Sequence, residues 1–159
     1  MTIEDDIAFL GRVPLLGSLG TEALRILAIG AESRTVRRGG ILFSVGEPAD
    51  CGYIVQEGLF RLKTPGVGNK TDKESETTAG PGMLLDDMAL LIETPRSATA
   101  TATEPSTVVR ISRSLFLKML EGYPNAARHL RDTLAVRSDR MSREMIGVRD
   151  MLQSLHTRR

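Results

Sequence analysis

One short stretch of this sequence gathers the polar groups that could hold an anion. Residues 86–100 read DDMALLIETPRSATA. Asp86 and Asp87 open the run, an apolar stretch from Met88 to Ile92 follows, and Arg96 and Ser97 come just after Thr94 and Pro95. If Asp87 to Ile92 form one or two helical turns, the first backbone N–H groups lack intrahelical partners and carry partial positive charge. Such an end attracts an anion. A tight turn at Thr94-Pro95 would return Arg96 to the same place. A guanidinium makes two-pronged hydrogen bonds to phosphate oxygens, and Ser97 adds a hydroxyl. A carboxylate suits a sugar hydroxyl instead, as acids do in nucleotide sites. The run therefore holds the parts for a sugar phosphate, although on spacing alone a surface arginine in a turn is the better fit.

Other chemistry is poorly supplied. Cys51 is the single cysteine, so no intramolecular disulfide can form and a reducing cytoplasm is expected. His129 and His156, the two histidines, both fall in the charged C-terminal stretch. No set of ligands has zinc-site spacing, and no glycine-rich loop ends in Lys-Ser or Lys-Thr. A net charge of +1 draws the chain neither to nucleic acid nor to membrane. Its apolar runs are too short to span a bilayer, and residues 1–6 are polar and acidic, unlike a secretory leader. The inventory predicts a binder and not an enzyme.

The elements that must position the run are legible in outline. With 159 residues, 41% hydrophobic and 26% charged, there is room for one full-sized core. Ile7, Leu10, Val13 and Leu16 recur at helical spacing, interrupted by Pro14 and Gly17. Thr21 is placed to cap a second helix with Leu24, Leu27 and Ala28 on one face, ended by Gly30. From Ser33 to Lys63, short extended runs alternate with glycines 39, 40, 46, 52 and 58, which predicts antiparallel strands with positive-φ turns. Residues 64–81 are polar and predict a surface loop. Ala98 to Thr103 and Thr107 to Ile111 predict two strands turning at Pro105. Ser112 would then cap a short helix through Leu120, ended by Gly122.

Pro124 would start a last, long helix, roughly 45 Å at about 1.5 Å per residue. Ala127, Leu134, Met141, Val148 and Leu155 repeat every seven residues, and Leu130 and Met151 fill two matching positions while Arg137 and Glu144 break the stripe. The pattern predicts packing partly on its own domain and partly on a second copy. Eight arginines against four acids from residue 124 onward would suit nucleic acid, but such charges more often form a solvated face.

At the cassette the sequence resembles a family. Asp86-Asp87-Met88-Ala89-Leu90, then Thr94-Pro95-Arg96-Ser97-Ala98-Thr99, resembles the phosphate-binding cassette of cyclic nucleotide-binding domains. That cassette reads Gly-Glu, an aliphatic residue, Ala-Leu, a few residues, Pro-Arg, a small residue and Ala-Thr. Upstream, GGILFSVGEPADCGYIVQEGLFRL looks like the first strands of the same fold. The likeness covers residues 7 to 155 or so, and is nearest the sensor half of catabolite-activator-type bacterial regulators.

The resemblance implies a mainly β fold with α, an antiparallel β-roll or jelly roll flanked by N-terminal helices and a long C-terminal helix. The roll with its N-terminal and short helices would occupy residues 1–123, and the long dimerising helix 124–159. Arg96 and Ser97 would hold a cyclic phosphate, helped by the backbone N–H groups of Met88 and Ala89. Asp87 would stand in for the glutamate on the ribose 2′-hydroxyl. Leu84, Leu85 and Ala98 would line the pocket, and Arg137, Met141 and Ser142 would approach the base. Ser97 favours cAMP over cGMP. The implied function is a cytoplasmic sensor that repositions its C-terminal helix on ligand binding, as a homodimer acting on an unknown protein partner and not on a membrane. In the regulators a helix-turn-helix domain follows the long helix. The sequence stops at Arg159, so no direct DNA binding is expected. Asp86 stands where the cassette keeps glycine, and it puts a negative charge beside an anionic ligand. The alternative is therefore a degenerate cassette in which Arg96 pairs with Asp86 or Asp87, on a ligand-free interaction module.

Overall fold

A computed structural model describes residues 2–66 and 74–135. The chain divides into two compact units. One is Ala31–Ser112, and the other is Met1–Gly30 with the chain from Arg113 onward.

The first unit is all β. Its strands are β1 (Glu32–Val36), β2 (Ile41–Phe43), β3 (Pro48–Ala49), β4 (Cys51–Glu57), β5 (Phe60–Thr64), β6 (Ser75–Ala79), β7 (Leu84–Leu85), β8 (Thr94–Pro95), β9 (Thr99–Ala102) and β10 (Ser106–Ser112). They form one four-stranded sheet in the order β1-β10-β4-β7, a second in the order β2-β9-β5-β6, and the pair β3-β8. Every pairing is antiparallel, as the roll requires.

The core follows from the two-residue period of a strand. Cys51, Tyr53 and Val55 of β4 share one cluster with Val108 and Leu85 of their own sheet and with Phe43, Phe60, Ala79, Ala100 and Ala102 of the other. The Ala-Thr alternation of β9 is explained the same way. Its alanines are buried, and its threonines are half-buried on the opposite face. Phe60 is fully buried, a burial that stabilises by about 2–3 kcal/mol.

Glycines 39, 46 and 58 have positive φ, as expected of the turns. Glycines 40 and 52 do not. Gly52 lies inside β4, and a Cβ there would meet the Leu90 side chain at 3.1 Å and the Leu84 side chain at 3.2 Å. It is needed for close approach, not for a turn. The expected loop at residues 64–81 is also corrected in part: Ser75–Ala79 is strand β6, in register with β5 from Phe60↔Ala79 to Thr64↔Ser75. Four of its five residues are exposed, so it carries no apolar alternation to announce it.

The second unit is helical. Helix α1 (Ile3–Gly11) begins with a capping box in which Thr2 and Asp5 each satisfy the other's backbone N–H. These hydrogen bonds, the one from the Thr2 backbone first, hold the Asp5 carboxyl below its ordinary pKa. Pro14–Leu16 form a 3-10 turn where the sequence interrupts the helical spacing. Helix α2 (Thr21–Gly30) buries Ala23, Leu24 and Leu27, while Ala28 is only half-buried. Helix α3 (Arg113–Gly122) ends at the expected glycine and buries Phe116, Met119 and Leu120. Residues 124–135 are helical, with Ala127, Leu130 and Leu134 of the seven-residue stripe buried. Its remaining members, Met141, Val148, Met151 and Leu155, and its breaks Arg137 and Glu144, lie outside the described residues. Among the described residues no helix is long and apolar enough to cross a membrane.

Candidate functional site

The cassette is held by backbone pairing before any side chain acts. In β3-β8, Pro48 is opposite Pro95 and Ala49 opposite Thr94. The N–H of Arg96 donates to the Glu47 carbonyl at 2.8 Å, and the Arg96 carbonyl accepts from the Gly46 N–H at 2.8 Å. Val45 donates its N–H to Thr99 Oγ1 at 3.0 Å. These bonds clamp the Arg96 backbone against the turn at Gly46, which adopts a φ of 87° that suits glycine. Pro95 has no N–H to donate, and the pairing is carried past it by the Arg96 N–H and carbonyl.

The expected helix from Asp87 to Ile92 is shorter. Asp87–Leu90 form a single 3-10 turn. The Ala89 N–H donates to the Asp86 carbonyl at 3.0 Å, and those of Leu91 and Ile92 reach the Met88 carbonyl at 3.0 and 2.9 Å. The Ala89 N–H, which the resemblance implied as an anion donor, is thus engaged inside the turn. So short a turn also sums few peptide dipoles.

Arg96 is 4% exposed, and it and Ser106 are the buried polar residues among those described. A buried cation must be paired and hydrogen-bonded. Its Nη1 donates to the Cys51 carbonyl at 2.9 Å and to Asp86 Oδ2 at 3.1 Å, and its Nη2 reaches Cys51 Sγ at 3.2 Å. The guanidinium carbon lies 4.6 Å from the Phe43 ring centroid and 5.3 Å from that of Tyr53. Desolvated cation–π contacts of this kind are worth about 2 kcal/mol. Tyr53 Oη in turn accepts from Arg34 Nη1 at 3.4 Å. Burial, then the neighbouring Cys51 thiol, raises the pKa of the Tyr53 phenol.

Asp86 is the one described non-glycine residue with positive φ, at φ 57° and ψ 57°. Asp tolerates this left-handed conformation better than most residues because its short side chain can hydrogen-bond locally. Here both oxygens instead accept from residues ten and eleven positions along the chain. Oδ2 takes Arg96, and Oδ1 accepts from Ser97 Oγ at 3.3 Å.

The structure thus brings together Arg96, Ser97 and Asp86, with Asp87, Met88 and Ala89 in the adjoining turn. Ala98, two residues after Arg96, is buried, and Leu84 is half-buried. Leu85 is buried in the roll's core cluster. Arg137, Met141 and Ser142 lie outside the described residues. Sequence reasoning missed Phe43, Tyr53 and Cys51 as the surroundings of Arg96. The signal available was the alternation of β4, which aims Cys51 and Tyr53 to one side.

A phosphate fits this donor set in kind: a guanidinium, a hydroxyl and a glycine-clamped turn. It does not fit beside the acid, because the Asp86 carboxylate already spans both donors. Among the described residues no cluster of His, Cys, Asp and Glu could hold a metal ion.

The sequence profile of the cyclic nucleotide-binding domain family matches residues 33–123 of this chain. A cyclic nucleotide-binding-like protein from Brucella abortus, whose structure is solved, is 41% identical, with a TM-score of 0.62 over 74% of this chain and 98% of that one. A cyclic nucleotide-gated potassium channel of Mesorhizobium japonicum is 30% identical over 76% of this chain and 32% of the channel. The cyclic AMP receptor protein of Thermus thermophilus is 29% identical over 78% of this chain and 56% of the receptor. The chain therefore spans about a third of the channel's length and little more than half of the receptor's.

Proposed function

This chain belongs to the cyclic nucleotide-binding domain family, and from that premise we propose that it is a regulatory sensor whose ligand sits on the cassette of residues 84–99. The ligand class proposed is a cyclic nucleotide, cAMP before cGMP, with Arg96 and Ser97 as phosphate anchors and Asp87 toward the ribose. Binding would change the pose of the C-terminal helix, through which two copies would pair. A ligand shifts such an equilibrium only through its differential affinity for the two poses. The role is regulatory and not catalytic, with a protein partner as its readout and the cytoplasm as its place.

The observation that carries this is Arg96 itself. A buried arginine, clamped through its backbone to a glycine turn and flanked by two aromatic rings, is costly to keep where nothing is to be bound. Calorimetry and thermal unfolding with millimolar cAMP and cGMP test it. The expected result is saturable heat and a raised unfolding temperature, both abolished in Arg96→Ala. No heat and no shift would sink the ligand claim.

The closure of Asp86 on Arg96 and Ser97 favours a second reading, a ligand-free interaction module on the same roll. Asp86→Gly with Asp87→Glu discriminates: nucleotide binding that arises only in the double variant supports the module.

A further inference from the structure

The Asp86 carboxylate sits as a bound anion would sit. Its two oxygens take the two side-chain donors that the cassette offers, Arg96 Nη1 at 3.1 Å and Ser97 Oγ at 3.3 Å. Other contacts of the guanidinium go to the Cys51 carbonyl and Sγ and to the faces of Phe43 and Tyr53. Asp86 neutralises Arg96, so the pair as folded offers an incoming anion no net positive charge. A cyclic phosphate would have to evict Asp86 and then bear its charge nearby. Two unit charges about 5 Å apart at an effective dielectric near 20 weaken binding by on the order of a hundredfold. An uncharged ligand meets no such term. Asp86 keeps 15% of its side chain exposed. An ionised carboxylate has about four acceptor sites, so sugar hydroxyls can donate to its outer edge while the pair with Arg96 stays closed.

We infer that Asp86 is a built-in phosphate surrogate, and that the cassette takes an uncharged riboside in preference to the corresponding cyclic phosphate. This rests on the cassette being the ligand site. The test is calorimetry of the full chain with adenosine, guanosine, cAMP and cGMP, repeated on Asp86→Gly. Glycine adopts the φ of this position without strain, and Asp86→Asn serves as a second variant that keeps the side chain's shape without its charge. In the unaltered chain at least one nucleoside binds about tenfold or more tighter than its cyclic phosphate. In both variants the cyclic phosphate gains, by on the order of a hundredfold, and the order reverses. A cyclic phosphate that binds the unaltered chain as tightly as its nucleoside overturns the inference and leaves the proposed sensor standing. So does a nucleoside-to-phosphate ratio unmoved by either variant. Nucleoside binding with no cyclic-nucleotide binding upholds the inference against the cyclic-nucleotide reading. Absence of heat with all four compounds, in every form, overturns both.

Discussion

Two arginines near β4 make ion pairs of nearly equal length and very unequal character. Arg96 meets Asp86 at 3.1 Å, with the two side chains 4% and 15% exposed. Arg110, opposite Tyr53 in the ladder, meets Asp50 at 3.4 Å and Glu32 at 3.7 Å, with the acids 73% and 58% exposed. Distance does not separate the two clusters; solvent does. The first has lost its hydration and must be repaid by hydrogen bonds and ring faces. In the second, Arg110 is 18% exposed, but its acids keep their water, so the pairs are screened by salt. Burial works to raise the Asp50 carboxyl, yet the Arg110 guanidinium, a hydrogen bond from Cys51 and the more distant Arg96 hold it below its ordinary pKa. Burial likewise works to lower Arg110, and the Cys51 thiol, Asp50, Tyr53 and Glu32 together raise it. A cluster that has surrendered its water is where one substitution changes most.

Breaking the buried pair is the severest test. Arg96→Ala leaves Asp86 partly buried without its cation and a gap against Phe43 and Tyr53, and is expected to cost about 3 kcal/mol. Urea unfolding with an unchanged slope reads it, and a loss below about 1 kcal/mol would mean that the pair is solvated after all. Gly52→Ala presses a methyl on Leu84 and Leu90 under the same strand. It is expected to cost about 2 kcal/mol by overpacking, with a shifted midpoint as the measure. Phe43→Leu removes one ring face from the guanidinium and should cost about 1 kcal/mol, more than the same exchange at a residue remote from any cation.

Asp50→Asn sharpens the other side and should cost about 0.5 kcal/mol or less at neutral pH. Its sign with pH is fixed. A carboxyl whose folded pKa is lowered contributes stability above its ordinary pKa and loses it as pH falls through the lowered value. The difference between the unaltered chain and Asp50→Asn should therefore be full at neutral pH and vanish in acid. It should also shrink with added salt, while the cost of Arg96→Ala should not.

Legibility in the sequence follows the same division. Strand β4 was readable because CGYIVQE carries Tyr, Ile and Val between turn signals, and helices α1 and α2 because apolar residues recur at helical spacing. Strand β6 was not, because an exposed edge strand such as SETTA has no buried face to impose alternation. Gly52 was misread as a turn because sequence shows a glycine but not the two leucines pressing on it. At the cassette, the interval between the acids and Arg96 was visible, and pairing with Asp86 stood as one alternative. The choice between Asp86 and Asp87 was not visible. It is decided by the left-handed backbone at Asp86, which turns that carboxylate onto Arg96 and Ser97. The aromatic flank of Arg96 was hidden too, since Phe43 and Tyr53 belong to different sheets and meet only across the core. The proposed base contacts from Arg137, Met141 and Ser142 fall outside the described residues.

The central claim is that Arg96 and Ser97 form an anchor for a ligand phosphate and that Asp86 now fills it. A titration of cAMP into Asp86→Gly, run beside the same titration into Asp86→Gly with Arg96→Ala, addresses that claim most directly. The account predicts saturable binding in the first and its loss in the second, with both variants folded by circular dichroism. Binding that survives removal of Arg96, or no binding in either variant at millimolar cAMP, would contradict it.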